Sequence, residues 1–350
     1  MTTRFGPYLV GMMTALGLAA LGALMPISCS SPRGDSSTAP HPQAFQKGMV
    51  FGLFARSDPR HADRGLAELR DLGVDSVMIV IPWVTPDVRS LEMAPRGDMT
   101  PSDASLVSTI RKAKTTGMRL FLMPILFVDA MGPGEWRGTL APPDWDSWFA
   151  NYDKFILHYA RMAESEGVEY FSVGSELCSA EKYRDRWLDL LKKVRSVYKG
   201  QLTYSSNWDS RQTMTFADAL DVLGLNGYYE LSQGAEPAEQ ELVTSWIKIK
   251  KDIEAWRAPT GKDLILTEVG YPSRKGATRD PWNHAPGGVP DLEVQFLCYR
   301  VFERVWRGEP RLAGVYFYQW WGAGGAGDPG YTPRGKPAAN VVRNWYSESR

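Results

Sequence analysis

The sequence predicts a single eight-stranded (β/α)8 barrel, the TIM-barrel architecture. Eight short apolar runs alternate with helical patterns over roughly 300 residues, which is the repeat expected of such a barrel. The apolar runs are nearly continuous, as in parallel strands that helices cover. An open doubly wound sheet is the less favoured alternative, because no glycine-rich phosphate loop follows the first strand. With no internal repeat and no second boundary, residues 47–350 are predicted to form one domain.

The predicted elements follow one another along the chain. The strands are predicted at 49–54, 76–82, 119–126, 170–176, 201–207, 221–228, 264–270 and 313–320. The helices are predicted at 61–72, about 102–116, 146–166, 181–198, 239–256 and 292–306. Glycines follow the first and fourth helices at Gly73 and Gly200, and Ser102 or Asp103 caps the second, as is typical of helix ends.

Residues 1–29 are predicted to be an export signal. Arg4 makes the start positive, residues 8–27 are almost continuously apolar, and small residues surround Cys29. The segment is similar to a bacterial lipoprotein signal, in which Cys29 would become the lipidated first residue, although Pro26 replaces the usual Leu. An uncleaved anchor helix is the alternative, because the apolar run is nearly long enough to span a bilayer.

Residues 30–46 are rich in Ser and Pro and are predicted to be a flexible tether. Because an export signal or an anchor helix precedes the tether, the catalytic part is expected to lie outside the cytoplasm. It is expected to be attached to a membrane, in the periplasm or at the cell surface, or otherwise to be secreted. A lipid on Cys29 would be its contact with the membrane.

Composition excludes several classes of function. Lys+Arg and Asp+Glu both number 40, so the formal net charge is +0, which argues against nucleic acid or an anionic membrane surface as the main partner. The three cysteines show neither a disulfide framework nor metal-ligand spacing, and none of the 4 His residues forms a zinc-protease motif. We therefore expect a monomer without a cofactor or a metal. Several of the 13 Trp and 15 Tyr are expected to line a carbohydrate groove.

Residues suited to catalysis recur at the carboxyl ends of the strands, where barrel enzymes build their sites. The fourth and seventh strands end in Glu176 and Glu268. Around them, the candidate substrate-binding residues are Trp83, Arg137, Asn207, Trp208, Asn226, Tyr228, Tyr318 and Trp320. Each of these has an ordinary explanation in packing or in an ion pair, but their coincidence on six or seven strands favours a site.

The two glutamates are the pair that a glycosidase needs. One carboxyl group protonates the leaving oxygen while the other, ionised, attacks the anomeric carbon, and a separation near ~5–5.5 Å would mean retention of configuration. Tyr228 is expected to donate a hydrogen bond to Glu268 and keep it ionised. Strand alternation predicts Ser172, Gly174 and Glu176 on the barrel-facing side.

Sugar contacts are expected from the remaining strand ends. The amides of Asn207 and Asn226 are suited to bind sugar hydroxyls, and Trp320 or Tyr318 is expected to form the floor under the cleaved sugar. On this view Trp320→Ala costs activity more than stability.

The chain resembles glycoside hydrolase family 113, a clan A barrel family with activity on β-1,4-mannans, from about residue 52 to 346. The motifs that carry the resemblance begin at Thr100 (TPSD), Trp136 (WRG), Phe171 (FSVGSEL), Leu202 (LTYSSNWD), Gly224 (GLNGYY), Thr267 (TEVGYPS) and Gly314 (GVYFYQW). The resemblance implies that Glu176 is the acid/base and Glu268 the nucleophile. It also implies substrate contacts at Arg137, Asn207, Trp208, Tyr228 and Trp320.

The sequence departs from relatives at a few positions near the expected site. Ser175 precedes the acid/base where Asn or Thr is common, and Tyr318 stands where Trp is common. Met123 and Ile125 replace the Lys and His that relatives tend to carry on the third strand. These changes leave the two glutamates intact but remove polar groups near the sugar, so hydrolysis is better supported than mannan specificity.

Two classes of function follow from the sequence. The first is a retaining β-glycoside hydrolase, most simply an endo-β-1,4-mannanase, or a glycosidase acting on another β-glycan. The second is a surface lipoprotein that binds carbohydrate on a barrel without catalysis, which the altered third strand motivates. Cleavage of a β-glycan would eliminate the second.

Lipidation of Cys29 is directly testable. When the full-length chain is produced in a bacterial host fed a labelled fatty acid, we expect the protein to carry the label and Cys29→Ser to lose it, because only a thiol at the start of the mature chain accepts the lipid. Cys298→Ser is the control and should label as wild type does. Equal labelling of Cys29→Ser would contradict the lipoprotein interpretation.

Overall fold

The computed structural model describes residues 44–55, 60–234, 236–284 and 287–348. The predicted export signal, Cys29 and most of the predicted tether lie outside these residues and stay predictions. The predicted boundary at residue 46 is one residue too late, because Gln46 is already buried as the first residue of the first strand.

Eight parallel strands close into a barrel in sequence order, which confirms the predicted fold. The strands are β1 (Gln46–Phe51), β2 (Ser76–Thr85), β3 (Arg119–Val128), β4 (Tyr170–Ser175), β5 (Gln201–Ser206), β6 (Leu223–Asn226), β7 (Leu264–Val269) and β8 (Leu312–Trp320). β1 begins three residues before the prediction because Gln46–Phe51 is the part of this apolar run that pairs with β8.

Seven helices among the described residues surround the strands. They are α1 (His61–Asp71), α2 (Asp103–Thr115), α3 (Trp145–Ser165), α4 (Arg184–Val197), α5 (Glu239–Arg257), α6 (Leu292–Trp306) and α7 (Ala338–Ser347). Short 3-10 turns, not an α-helix, connect β5 to β6. None of the helices in the described part of the chain is long and apolar enough to cross a membrane.

Two helices differ from the prediction. The C-terminal helix α7 was not predicted, although its buried Val342, Trp345 and Tyr346 have helical spacing. Its Trp345 packs against Phe317 of β8 and so covers the outside of the barrel there. α4 begins at Arg184, three residues later than predicted, because the chain up to Glu181 is held in a loop by hydrogen bonds to its side chain.

The apolar core has two layers, one between the strands and helices and one inside the barrel. The inner layer consists of Val50, Met78, Phe121, Met123, Tyr170, Val222, Ile265 and Tyr316. Full burial of one such large side chain stabilises the fold by about 1.5–3 kcal/mol. Gly48 makes room for this filling, because a Cβ atom there would lie 2.5 Å from the ring of Tyr316.

β4 contains an extra residue that the alternation pattern did not predict. Ser172 pairs with Thr203 and Ser175 with Ser205, so three steps on β4 match two on β5. Such a bulge exchanges the two faces of a strand. Gly174 therefore faces the helix layer, where a Cβ atom would lie 2.7 Å from the hydroxyl of Tyr152, and not the barrel interior as predicted.

Candidate active site

Glu176 follows β4 directly and has an unusual backbone conformation. Its φ of 56° lies in the left-handed region, where it is the only non-glycine residue among those described. This conformation costs a residue other than glycine about 1–2 kcal/mol. The backbone N–H of Glu176 donates to Ser205 O at 2.9 Å, which keeps the residue attached to the end of β5. Backbone strain of this kind concentrates at functional sites.

The carboxylate of Glu176 is nearly buried and has two partners. Arg137 Nη2 donates to Oε2 at 2.8 Å, and Asn226 Nδ2 donates to Oε1 at 2.9 Å. Arg137 begins a 3-10 turn after β3, and Gly138 O in that turn accepts from Ser179 N at 3.0 Å. The loops after β3 and β4 thus meet around this carboxylate.

Asn226 positions Glu176, which differs from the predicted contact with sugar hydroxyls. Its side chain is fully buried at the end of β6. Its amide donates to Glu176 and, at 3.4 Å, to Ser175 Oγ, while its oxygen accepts from Thr267 Oγ1 at 2.8 Å. These bonds use both the nitrogen and the oxygen of the amide and join the end of β4 to β7. The amide is therefore not available to a ligand.

Glu268 lies close enough to Glu176 for the two charges to interact. Its carboxylate is nearly buried and accepts the predicted hydrogen bond from Tyr228 OH at 2.6 Å. Burial raises the pKa of Glu268, and the charge of Glu176 raises it further, while Tyr228 and Arg137 act in the opposite direction.

Glu268 reaches the cavity through a second bulge. Ile265 faces the barrel interior, so strict alternation would turn Glu268 outward. Between Leu266 and Glu268, however, two steps on β7 match the single step from Leu225 to Asn226 on β6. The extra residue turns Glu268 towards Glu176.

Arg137 is the cation of the site. Burial disfavours its charge, but Glu176 and Glu268 outweigh burial and raise its guanidinium pKa. Its Nε donates to no acceptor among the described residues. The site thus combines two carboxyl groups with one permanent positive charge.

Aromatic rings form one wall beside Glu268. Tyr318, at the inner face of β8, has its ring centroid 5.9 Å from that of Tyr228 and 5.4 Å from that of Tyr331. The ring centroid of His284, from the loop after β7, lies 5.5 Å from that of Tyr318. Tyr318 was predicted, whereas His284 and Tyr331 were missed because they lie in long loops without a strand-end position.

A pair of tryptophans stands on the rim between β5 and β7. Trp208 stacks on Trp282 with centroids 5.1 Å apart and an interplanar angle of 25°, and its edge meets Tyr229. Trp282 is 40% exposed, which is unusual for so large an apolar side chain. The sequence prediction missed Trp282, although a tryptophan in the loop after a strand is the signal that would have identified it.

Asn207 precedes Trp208 at the end of β5. Its side-chain amide donates to Asp209 Oδ1 at 2.7 Å within the same turn.

Trp83 does not belong to the site. The interior residues of β2 include Met78, and Trp83, five positions later, faces the helices. Its ring stacks on Phe155 of α3 at 4.6 Å, and its Nε1 donates to Tyr159 OH at 3.0 Å. The prediction that it binds substrate beside the glutamates is therefore wrong.

The sequence prediction also placed Trp320 on the wrong face of its strand. From Met49 to Phe51, two steps on β1 match three on β8, so the bulge turns Trp320 outward after the inward Tyr318. Trp320 is 4% exposed, lies in the outer core and donates from Nε1 to Glu68 Oε2 at 3.0 Å. It does not form the floor under a sugar.

The thiol of Cys178 is not activated as a nucleophile. Cys178 is half-buried, accepts from Ser210 Oγ at 3.0 Å, and burial raises the pKa of its thiol to about 12, so it has no activated thiolate. Within the described ranges, no three His, Cys, Asp or Glu side chains are grouped to hold a metal ion.

The family follows from a sequence comparison. The profile of Glycoside Hydrolase Family 113 matches residues 49–325, which include every strand end named above. The chain belongs to glycoside hydrolase family 113. It is therefore a glycoside hydrolase, and the cavity with Glu176 and Glu268 is the candidate active site of this family member.

Solved structures of family members agree with this assignment. A family 113 β-1,4-mannanase solved as a complex is 26% identical, with a TM-score of 0.77, and the match covers 87% of this chain and 100% of that chain. The family 113 β-mannanase AaManA from Alicyclobacillus acidocaldarius, in complex with ManMIm, is 25% identical, with a TM-score of 0.78 and coverage of 87% and 97%.

A solved structure of lower sequence identity shows a similarity of fold only. A β-glucuronidase from Faecalibacterium prausnitzii is 13% identical, with a TM-score of 0.60 and coverage of 88% of this chain and 49% of that chain, which shows the fold alone. No curated protein sequence matches the chain.

The position of Trp320 gives a prediction about stability. Trp320→Ala should lower the free energy of unfolding by about 3–5 kcal/mol, because it empties a buried site and removes one of the two side-chain donors to Glu68, the other being Arg334. Urea denaturation measures this loss. Trp282→Ala is the matched control on the exposed rim and should lose no more than about 1 kcal/mol. Equal losses would contradict the placement of Trp320.

Proposed function

We propose that the protein is a retaining endo-β-1,4-mannanase in which Glu176 is the acid/base and Glu268 the nucleophile. The observation that carries the proposal is that these two buried carboxyl groups lie close enough for their charges to interact, with Tyr228 hydrogen-bonded to Glu268. The two related family 113 structures are β-mannanases, which supports mannan as the substrate.

The proposed reaction has two steps. First, a Glu268 carboxylate oxygen attacks the anomeric carbon while Glu176 gives its proton to the glycosidic oxygen, which leaves with the bonding electrons. This forms a glycosyl ester on Glu268. Second, Glu176, now ionised, takes a proton from water as that water attacks the same carbon, and the Glu268 carboxylate is released.

The hydrogen bond from Tyr228 supports the assignment of the nucleophile. A neutral phenol that donates to one carboxylate oxygen stabilises the ionised form and fixes the direction of the other oxygen. Burial and the charge of Glu268 raise the pKa of Tyr228 well above its usual value, so the phenol retains its proton.

The free site differs from the state that this reaction needs. Arg137 contacts Glu176, the group that must carry the proton, whereas the raised pKa belongs to Glu268. We infer that a bound sugar whose hydroxyls accept from Arg137 releases this contact and lets the shared proton move to Glu176.

The rim supports an extended polysaccharide as substrate. The exposed face of Trp282, stacked on Trp208, offers a flat apolar surface of the kind that sugar rings contact. On the third strand, Met123 fills the barrel interior and accepts from Ser205 Oγ at 3.2 Å. This position contributes packing beneath the site, so its lack of charge is compatible with catalysis.

Removal of either carboxyl group should abolish most of the activity. Glu176→Gln is expected to lose at least about 100-fold in the rate of β-mannan cleavage, and Glu268→Gln more, because the acid and the nucleophile are lost. Reducing-end release from mannan, glucomannan, xylan and cellulose measures both the rate and the preferred polysaccharide.

The control for this experiment is Glu230→Gln, an exposed carboxylate on the connection after β6, which should behave as wild type. Wild-type rates in Glu176→Gln and Glu268→Gln would refute the assigned roles. Retention of glycans without cleavage by the wild-type protein would favour the non-catalytic binding function.

Loss of the Tyr228 hydroxyl should change the pH dependence. Its hydrogen bond lowers the pKa of Glu268, so Tyr228→Phe raises this pKa, and a higher pH is then needed to ionise the nucleophile. The acidic limb of kcat/KM against pH should therefore move to higher pH, which a pH–rate profile on β-mannan measures. Tyr299→Phe, a buried tyrosine outside the site, should leave the limb in place. A shift to lower pH would contradict the role of Tyr228.

A further inference from the structure

Glu181 is a buried carboxyl group that the proposed reaction does not use. It lies in the loop after β4, five residues beyond Glu176, and is fully buried. Its Oε1 accepts from Tyr204 OH at 2.8 Å and its Oε2 accepts from Thr213 Oγ1. No Lys, Arg or His of the described residues forms an ion pair with it, so hydrogen bonds alone satisfy this group. Burying an acid in this way is costly and calls for a reason.

Tyr204 connects Glu181 to the residue that follows Glu176. Its hydroxyl accepts from the backbone N–H of Leu177 at 2.7 Å and donates to Glu181. One phenol oxygen thus joins the first part of the loop, at Leu177, to its far end, at Glu181. Burial raises the pKa of Tyr204 well above its usual value, so the hydroxyl retains the proton that this arrangement needs.

The far end of the loop is itself fixed to another part of the barrel. Thr215, on the connection between β5 and β6, donates to Glu181 O from its Oγ1 at 2.7 Å and from its N–H at 3.4 Å. Together with the bond from Thr213, these contacts hold both the backbone and the side chain of Glu181.

These contacts lie where the backbone of Glu176 needs support. A left-handed residue other than glycine persists only when its surroundings fix it. On one side, the N–H of Glu176 is held by Ser205 O, and on the other, the N–H of Leu177 is held by Tyr204 OH. Without the second bond, the peptide between Glu176 and Leu177 is free to relax towards an ordinary conformation, which would turn the carboxyl group away from Glu268.

We propose that Tyr204 and Glu181 form a positioning pair that holds the backbone of Glu176 so that its carboxyl group reaches the glycosidic oxygen. This inference rests on the proposed function, in which Glu176 is the acid/base. Neither residue touches the substrate, and both act through the conformation of Glu176.

The test compares two substrates that differ in their need for an acid. Cleavage of a phenyl β-mannobioside needs a proton on the leaving oxygen, whereas a 2,4-dinitrophenolate leaves without one. For Tyr204→Phe we expect kcat/KM on the phenyl substrate to fall by about 10- to 100-fold, part of the 10²–10⁴-fold that a positioned acid contributes. On the dinitrophenyl substrate we expect kcat/KM to stay within about threefold of wild type, because binding and the nucleophile are unchanged.

Tyr198→Phe is the matched control. Tyr198 is also a fully buried tyrosine, and its hydroxyl donates to Val168 O at 3.0 Å, before the start of β4 and away from Glu176. It should lose thermal stability as Tyr204→Phe does, without distinguishing the two substrates. Parallel losses on both substrates in Tyr204→Phe, or the same selective loss in Tyr198→Phe, would overturn the positioning role.

Glu181→Gln provides a second, independent variant. Its amide keeps an acceptor oxygen for Tyr204 but places an NH2 group where Thr213 already donates, so we expect a smaller selective loss in the same direction. If Tyr204→Phe does not fold, this variant carries the test, and unchanged substrate selectivity in it would count against the proposal.

Glu176→Gln, measured on the same two substrates, separates this inference from the proposed function. It should show the largest selective loss on the phenyl substrate. If it does not, the assignment of the acid fails and the positioning role fails with it. If it does, while Tyr204→Phe loses both activities equally, the acid assignment stands and only the positioning role is wrong.

Discussion

The close approach of two buried carboxyl groups, Glu176 and Glu268, is the constraint on which the rest of the site depends. Burial raises the pKa of Glu268, and the charge of Glu176 raises it further. Hydrogen bonds from the surrounding residues offset the cost of burying these carboxyl groups. Arg137 and Asn226 donate to Glu176, and Tyr228 donates to Glu268. Their hydrogen bonds fix both side chains next to one another.

The barrel makes this arrangement possible because each partner comes from a different strand end. Glu176 follows β4, Asn226 ends β6 and Glu268 lies near the end of β7, while Arg137 comes from the turn after β3. Parallel strands bring all their carboxyl ends to one rim, so residues far apart in sequence become neighbours. A side chain on this rim is positioned by the sheet itself, and the loops add contacts such as the bond from Tyr204 to Leu177.

The fold and the place of Glu176 and Glu268 at two strand ends were predictable because they depend on patterns repeated along the chain. Eight apolar runs with helices between them predict the barrel, and a glutamate at the end of two runs predicts the pair. The helix after β8 was missed, and His284 and Trp282 were missed because long loops have no periodicity to place them. The comparisons then show that the chain is a member of glycoside hydrolase family 113.

By itself, the sequence determined which strands exist, where each ends to within a few residues and which acids stand near those ends, because apolar periodicity is a local property of the chain. Only the tertiary structure decided which side of a strand each residue occupies after a bulge. Extra residues in β4 and β7 turn Gly174 towards the helices and Glu268 towards the cavity, and one in β8 buries Trp320 in the outer core. A bulge arises from pairing with the neighbouring strand, and this register is set by contacts between distant residues that the order of amino acids along one strand does not contain.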